Sequence, residues 1–363
     1  MHQDSRRRFL KTAAGTALTT AAGLAGAQSF DFRPAQRYPD PNVFILDPSF
    51  AKYRIYSSTI EQLGSGMRWA EGPAYFPETG TLILSDIPNN RLMKYEEKTG
   101  KFSVHKENVN YANGNTRDRQ GRLVSCEHSV TRRVVRTEKD GSMTVLADRF
   151  EGKRLNAPND IVVKSDDSIW FTDPTFGING EWEGSRATPE QATTNVYRIQ
   201  NGQIAAVVTD ILNPNGLAFS PDEKQLYVVE WRGTPNRSVW RYDVAADNSL
   251  SNKTKLIDAA GPGAFDGLRV DRDGNLWCGW GFTGAFAPEA TDIGGGMKAH
   301  LPLGKSEEMD GVKVFNKDGK PIGFIRLPER CANLEFGGPK RNRLYMASSH
   351  SLYALYVEAH GAV

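Results

Sequence analysis

Residues 155–174 read LNAPNDIVVKSDDSIWFTDP. Two polar side chains, Asn159 and Asp160, stand directly before the apolar run Ile161, Val162, Val163, and a second apolar run, Ile169, Trp170, Phe171, follows a polar turn. Short alternating runs around a Ser-Asp-Asp-Ser turn read as strand, hairpin and strand. Taken alone, the leading Asn-Asp pair needs only turn chemistry, because both residues bond their own main chain and tolerate turn geometry. What decides the fold is that the pattern repeats.

Further copies start at Glu71 (EGPAYFPETGTLILSD), Asn113 (NGNTRDRQGRLVSCEH), Asn215 (NGLAFSPDEKQLYVVE), Asp266 (DGLRVDRDGNLWCGW) and, more weakly, Asn333 (NLEFGGPKRNRLYMAS). Successive first residues lie 42, 46, 56, 51 and 67 positions apart. Between them recurs a second hairpin pattern, as in RLMKYEEKTGKFSVH from Arg91 and NVYRIQNGQIAAVVTD from Asn195. Two hairpins make a four-stranded antiparallel sheet, and such units repeated in series predict an all-β, six-bladed β-propeller around a central channel. The sixth copy contains only three strand patterns, so an N-terminal strand is expected to complete that blade and remove its open edge. Residues 53–60, YRIYSSTI, are the segment expected to do so, which divides the chain into a propeller over 51–363 and a lead over 28–50. Two stretches break the rhythm, 177–194 and 282–310. Long irregular loops in a compact domain are functional or simple insertions, and both follow the second strand of a blade, where they could wall one channel mouth.

The chain has 363 residues, 39% hydrophobic and 24% charged, an ordinary globular composition with enough apolar residues for a large core. Its formal charge is +2, but residues 1–27 hold four basic and one acidic residue, leaving 41 basic against 42 acidic beyond them. That near-neutral body has no electrostatic footprint for nucleic acid or an anionic membrane. At the N-terminus, Ser5, Arg6, Arg7, Arg8, Phe9, Leu10 and Lys11 match the twin-arginine export signal, and a small-residue site follows at Ala25, Gly26 and Ala27. The expectation is recognition by the twin-arginine machinery, cleavage after about Ala27, and a periplasmic protein without a stable membrane anchor. Cys126, Cys278 and Cys331 are far apart and lack paired spacing; buried free thiols are expected in place of a disulfide framework or a thiolate zinc site.

Equivalent positions in each blade are equivalent in space, so Glu71, Asn113, Asn159, Asn215, Asp266 and Asn333 should ring one channel mouth. Turn capping accounts for any one of them, but it requires no Glu and would accept Ser or Thr. Six convergent oxygen-bearing side chains are costly to bury without a partner. Carboxylates and amides without His or Cys suit a hard divalent cation. Glu71 and Asp266 would supply charge, and Asn159 and Asn215 neutral oxygens. Calcium is the first expectation, with magnesium, manganese or zinc as substitutes. A purely structural cation tying blades together is the plainer alternative.

The motifs EGPAYFP, NGNTRDRQGRLVSCEH, LNAPNDIVVKSDDSIWFTDPTFGI, NPNGLAFSPDEKQLYVVE and FDGLRVDRDGNLWCGW together resemble the gluconolactonase, senescence marker protein and luciferin-regenerating enzyme family, in its bacterial gluconolactonase-like branch. The resemblance runs from about residue 55 to the end. It implies a six-bladed propeller with a divalent cation in the channel and hydrolysis of a sugar lactone as the activity. By position, the family's metal-binding Glu falls on Glu71, its Asn ligands on Asn159 and Asn215, and its Asp ligand on Asp266. Some members carry a substrate-holding Arg where this chain has Ala157, a departure that bears on which sugar acid is recognised. Candidate substrate contacts are Asn113, Arg132, Asp160 and Trp231. Family practice makes Asp266 the first choice for proton transfer, with His128 the alternative base or a supporting group. A G-x-S-x-G nucleophile elbow, a P-loop and a dinucleotide fingerprint are all missing from the sequence. The rivals are a phosphotriester or other ester hydrolase on the same scaffold and a noncatalytic periplasmic binding propeller.

Export gives the first test. Replacing Arg6 and Arg7 together by Lys is expected to hold the protein in the cytoplasm, and intact mass of the exported form should place its first residue at Gln28. Export of the double variant at the unmodified rate would remove the twin-arginine assignment.

Overall fold

The computed structural model describes residues 32–231, 237–259, 263–282, 289, 291–294, 297–299 and 306–362. The twin-arginine segment and its cleavage site lie outside them, as do residues 28–31 and much of the 282–310 stretch. Six antiparallel sheets follow one another in chain order and close into a six-bladed propeller. The innermost strands are Ala70–Phe76, Ala112–Arg117, Ile161–Val163, Pro214–Phe219, Gly263–Val270 and Cys331–Gly337, and each contacts its two neighbours around the ring.

Strand periodicity explains how the blades stack. On Thr81–Asp86, Leu82 and Leu84 pack with Tyr345 and Ala347 of the sixth blade, whereas Ile83 points the other way, against Val109 and Ala112 of the second. Every blade has this two-sided character, so six apolar clusters fill the six gaps between consecutive blades. Trp170, Trp277, Tyr197 and Tyr227 are the largest of their fully buried members, each contributing about 1.5–3 kcal/mol or more through removal of apolar surface from water. Cys126, Cys278 and Cys331 are buried, unpaired, and part of this packing.

The sixth blade is indeed completed from the N-terminal side, but by Glu61–Ser65 pairing with Ser351–Tyr356, not by 53–60. The cause is local. Pro48 opens a 3-10 turn over Pro48–Tyr53, capped by Asp47, whose carboxylate accepts from the Ser49 amide at 3.0 Å. Tyr53 and Ile60, read from sequence as strand residues, instead anchor the entry segment in the cluster between the fifth and sixth blades. Asp40 accepts from the Ile60 amide at 3.0 Å, so the strand begins only after this clamp. The lead also adds a fifth strand, Val43–Ile45, to the outer edge of blade five, pairing with Ile325, Phe324 and Gly323.

Glycine sets the width of the channel. A Cβ on Gly72 would lie 2.1 Å from the Asn113 carbonyl oxygen, one on Gly114 2.2 Å from that of Asn159, and one on Gly216 2.5 Å from that of Asp266. The Gly that follows most ring residues is therefore where one blade's backbone meets the next. At the same point the strand register shifts in blades one, two, four and five: the bulge unpairs Asn113, Asn215 and Asp266 in the last three and, in blade one, begins just after Glu71, which still pairs with Ser85.

Gly114→Ala should lower the unfolding free energy by about 2–3 kcal/mol through overpacking, read by urea denaturation. Gly180→Ala, whose Cβ meets nothing within 4 Å, should stay within about 0.5 kcal/mol of wild type.

Candidate active site

The six first residues of the repeats are all buried, and five of them, Glu71, Asn113, Asn159, Asn215 and Asp266, meet at one mouth of the channel, whereas the expected sixth, Asn333, does not line it. A directional chain of side-chain hydrogen bonds links four of them: Asn113 Nδ2 donates to Asn159 Oδ1 (2.7 Å), Asn159 Nδ2 to Asn215 Oδ1 (2.8 Å), and Asn215 Nδ2 to Asp266 Oδ1 (2.8 Å). Asn159 and Asn215 each both accept and donate, which Ser or Thr could not do at this reach. Glu71 accepts from the Gly72 amide at 2.7 Å. Asn333 sits lower, and its amide hydrogens stabilise the carboxylates of both Glu71 and Asp160.

Asp160 lies beneath the ring and off the cavity wall. Its Oδ1 accepts from the Ile161 amide (3.0 Å), and Arg269 Nη1 approaches its Oδ2 at 3.6 Å. Arg269 Nε in turn donates to Glu335 Oε2 at 2.9 Å, so an acid–base–acid stack occupies the channel below the ring. Burial first, then repulsion from Asp266 and Asp160, holds the Glu71 carboxyl well above the usual range. Asp266 is pushed up to about 6 by burial, against the pull of Arg330 and the Asn215 hydrogen bond.

Above the ring is a cavity of about 360 Å³ lined by Glu71, Asn113, Asn159, Asn215 and Asp266 at its floor and by Trp69, Phe176, Trp182, Trp231, Glu183 and Arg330 at its walls. Trp231 packs edge-to-face on Phe176, ring centres 5.5 Å apart, beneath the Arg237 guanidinium. Arg330 Nη2 donates to Asp266 Oδ2 at 3.2 Å. The 177–194 stretch does form a wall, contributing Asn179, Gly180, Trp182 and Glu183.

Two sequence candidates stand behind this cavity rather than on it. Arg132 is buried with its Nε donating to the Leu155 carbonyl at 2.7 Å, bracing the loop that leads to Asn159. His128 is fully buried, its Nδ1 2.9 Å from the Pro158 carbonyl and its Nε2 3.6 Å from Glu183 Oε2. Sequence reasoning missed Trp69, Phe176, Trp182, Glu183 and Arg330. Trp69 carried a usable signal, since it lies two residues before Glu71, the same offset as Ala157 from Asn159; the loop residues and Arg330 carried none, because nothing in the repeat specifies them.

The last residue of the opening stretch's second strand also has a task. Asp173 accepts from the Asn156 and Ala157 amides, both at 2.8 Å, clamping the chain that enters the third innermost strand. Asp86 does this for Arg68 and Glu230 for Leu212. Burial pushes the Asp173 carboxyl up to about 7 despite these bonds.

The ring consists of carboxylates and amides, without a His or Cys, which is not the chemistry of a soft-metal site. It fits a hard divalent cation: Glu71, Asn159, Asn215 and Asp266 offer oxygen alone, from four blades, and the two carboxylates are buried close enough to repel one another. A double positive charge between them removes that cost.

The model of the SMP-30/Gluconolactonase/LRE-like region matches residues 69–350. The chain belongs to this family. Among the family's proteins, the gluconolactonase of Zymomonas mobilis is 26% identical over 328 residues, covering 84% of this chain and 83% of that protein. The pentonolactonase XacC of Haloferax volcanii is 26% identical over 289 residues, 78% of this chain and 82% of its own length. Of solved structures, a gluconolactonase of Xanthomonas campestris superposes with a TM-score of 0.73 at 32% identity, covering 87% of this chain and 94% of that one.

A titration follows from Asp173. With its folded value near 7 and an ordinary value of 3.8, the folded state binds more protons than the unfolded between those limits, so stability falls as pH rises from about 4 to about 7. Asp173→Asn should remove one proton's share of that slope, at most about 1.4 kcal/mol per pH unit, measured by urea unfolding across the window. An unchanged slope would mean that Asp173 ionises normally.

Proposed function

We propose that this chain hydrolyses a sugar lactone to the open-chain aldonic acid, at the channel-mouth cavity and with a divalent cation held by Glu71, Asn159, Asn215 and Asp266. That it is a lactone-hydrolysing enzyme rests on its family and on relatives that are themselves a gluconolactonase and a pentonolactonase. The observation that carries the fuller reading is the oxygen ring forming the floor of an aromatic-walled cavity. Aromatic faces suit the C–H faces of a sugar ring, and convergent amides suit its hydroxyls. The twin-arginine motif at residues 5–11 supports action in the periplasm.

A lactone is a cyclic ester, so opening it needs a polarised carbonyl and a positioned water. When bound, the cation supplies Lewis-acid polarisation of the carbonyl oxygen and stabilisation of the tetrahedral oxyanion. Glu71 and Asp266 bring the charge that would hold it, and Asn159 and Asn215 would add neutral oxygens. The amide chain running from Asn113 to Asp266 orients those oxygens before substrate arrives. Trp69, Trp182 and Trp231 cover the sugar and exclude bulk water. Arg330 offers N–H groups to a hydroxyl or to the carboxylate that hydrolysis creates, the task that the family's Arg would perform from the position of Ala157. Asp266 already accepts at both oxygens, from Asn215 and Arg330, which suits it to charge neutralisation more than to taking a proton from water.

The test is hydrolysis of D-glucono-δ-lactone and other sugar lactones by protein stripped with chelator and then given calcium, magnesium, manganese or zinc. Activity should return with calcium and fall at least about 100-fold in Asp266→Asn and Glu71→Gln, with cation affinity lowered in both. Full activity in chelator would dismiss the cation, and activity on phosphotriesters but on no lactone would dismiss the substrate class.

A further inference from the structure

We infer that Glu183 is the proton acceptor for the attacking water and that His128, behind it, is the residue that positions its carboxylate. The inference rests on the lactonase reading above and names the base for that reaction.

Three observations carry it. Glu183 lines the cavity and is partly exposed to it, while its Oε2 lies 3.6 Å from Nε2 of a His128 that is fully buried. His128 Nδ1 faces the Pro158 carbonyl at 2.9 Å. A carbonyl can only accept, so Nδ1 carries a hydrogen, and in a neutral ring Nε2 would present a lone pair to a carboxylate. That arrangement is repulsive unless a proton lies on the pair. Nε2 has no hydrogen-bond partner, and a buried ring nitrogen without one is costly. A hydrogen between Nε2 and Glu183 Oε2 satisfies both groups and leaves the carboxylate's other oxygen to accept.

The loop holding Glu183 is fixed to the His128 segment on both sides. A Cβ on Gly177 would lie 2.5 Å from His128 Cδ2, and one on Gly184 2.2 Å from Ser129 Cβ. Ser185 N donates to Ser129 Oγ at 2.9 Å. The backbone at Glu183 is thus placed by packing, and its carboxylate is aimed by the approach to His128. The other charges about the pair are Asp266, which repels Glu183, Arg330, which is bonded to Asp266, and Glu127 beside His128, which is tied to Arg133 and Thr131.

The step balances as a base-assisted hydrolysis. Water oxygen bonds to the lactone carbonyl carbon as one water proton passes to Glu183. The tetrahedral adduct then breaks its bond to the ring oxygen, which takes that proton and leaves as a hydroxyl. Glu183 is restored, and the new carboxylic acid ionises to solvent.

The experiment measures kcat, KM and the pH profile of lactone hydrolysis for wild type, Glu183→Gln and His128→Gln. Thermal midpoint serves as the measure of folding, and calcium affinity by calorimetry as the measure of the ring. Glu183→Gln should lose about 100-fold or more in kcat, with KM within about threefold and calcium affinity unchanged. His128→Gln removes the ring nitrogen that faces the Glu183 carboxylate, so the acid limb of the pH profile should move up, a displacement that a merely structural role would not produce. An active Glu183→Gln, or a tenfold loss of calcium affinity in it, overturns the base assignment. A fallen kcat in His128→Gln without a shifted limb overturns the positioning role. Wild type inactive on every lactone, with calcium bound, would instead overturn the lactonase reading beneath the inference.

Discussion

Close approach of six innermost strands around one axis is the constraint from which the rest of this protein follows. Where Gly72, Gly114 and Gly216 stand, the neighbouring blade's backbone occupies the space of a Cβ, 2.1 to 2.5 Å away. At that spacing the residue just before each glycine has one direction available, toward the channel, and adjacent amides fall within hydrogen-bond distance of one another. The ring of Asn113, Asn159, Asn215 and Asp266 is therefore a product of strand geometry as much as of the side chains themselves. Blade three departs from the rule. Asp160 takes the glycine's place there and reaches under the ring toward Arg269, so the break in the pattern also builds the charged floor.

Electrostatics at the mouth run against stability. Glu71, Asp160 and Asp266 are buried, and burial raises the proton affinity of all three, with repulsion from neighbouring carboxylates adding to it at Glu71 and Asp266. Arg269 below and Arg330 beside them compensate in part. Concentrating like charges in a low-dielectric site is a cost that a structural core would avoid and a cation-binding reaction site can use. Trp69, Phe176, Trp182 and Trp231 wall the cavity above the ring.

The repeat made much of this legible. Its period announced strands, blades and ring, because each copy sits in the same environment and obeys the same sterics. Legibility stopped where the environment was unique. Residues 53–60 have strand-like alternation, yet Asp40 and Pro48 fix that segment as an anchor, and the closing strand lies at Glu61–Ser65. His128, Arg132 and Asp160 are near the ring in sequence but point behind or below it, since orientation at a strand end depends on the local turn rather than on distance along the chain. Arg330, Trp182 and Glu183 reach the cavity from a blade entry and a loop that have no counterpart in the other copies.

By itself, then, the sequence determined the all-β class, the six blades, the membership of the ring and its oxygen-only chemistry, because alternation and period are local and each copy repeats the same physical problem. Only the tertiary structure decided which strand closes the ring, which polar residues face the cavity, and that Glu183 meets His128. Those outcomes depend on packing between segments tens to hundreds of residues apart, and no local pattern encodes where two such segments come to lie.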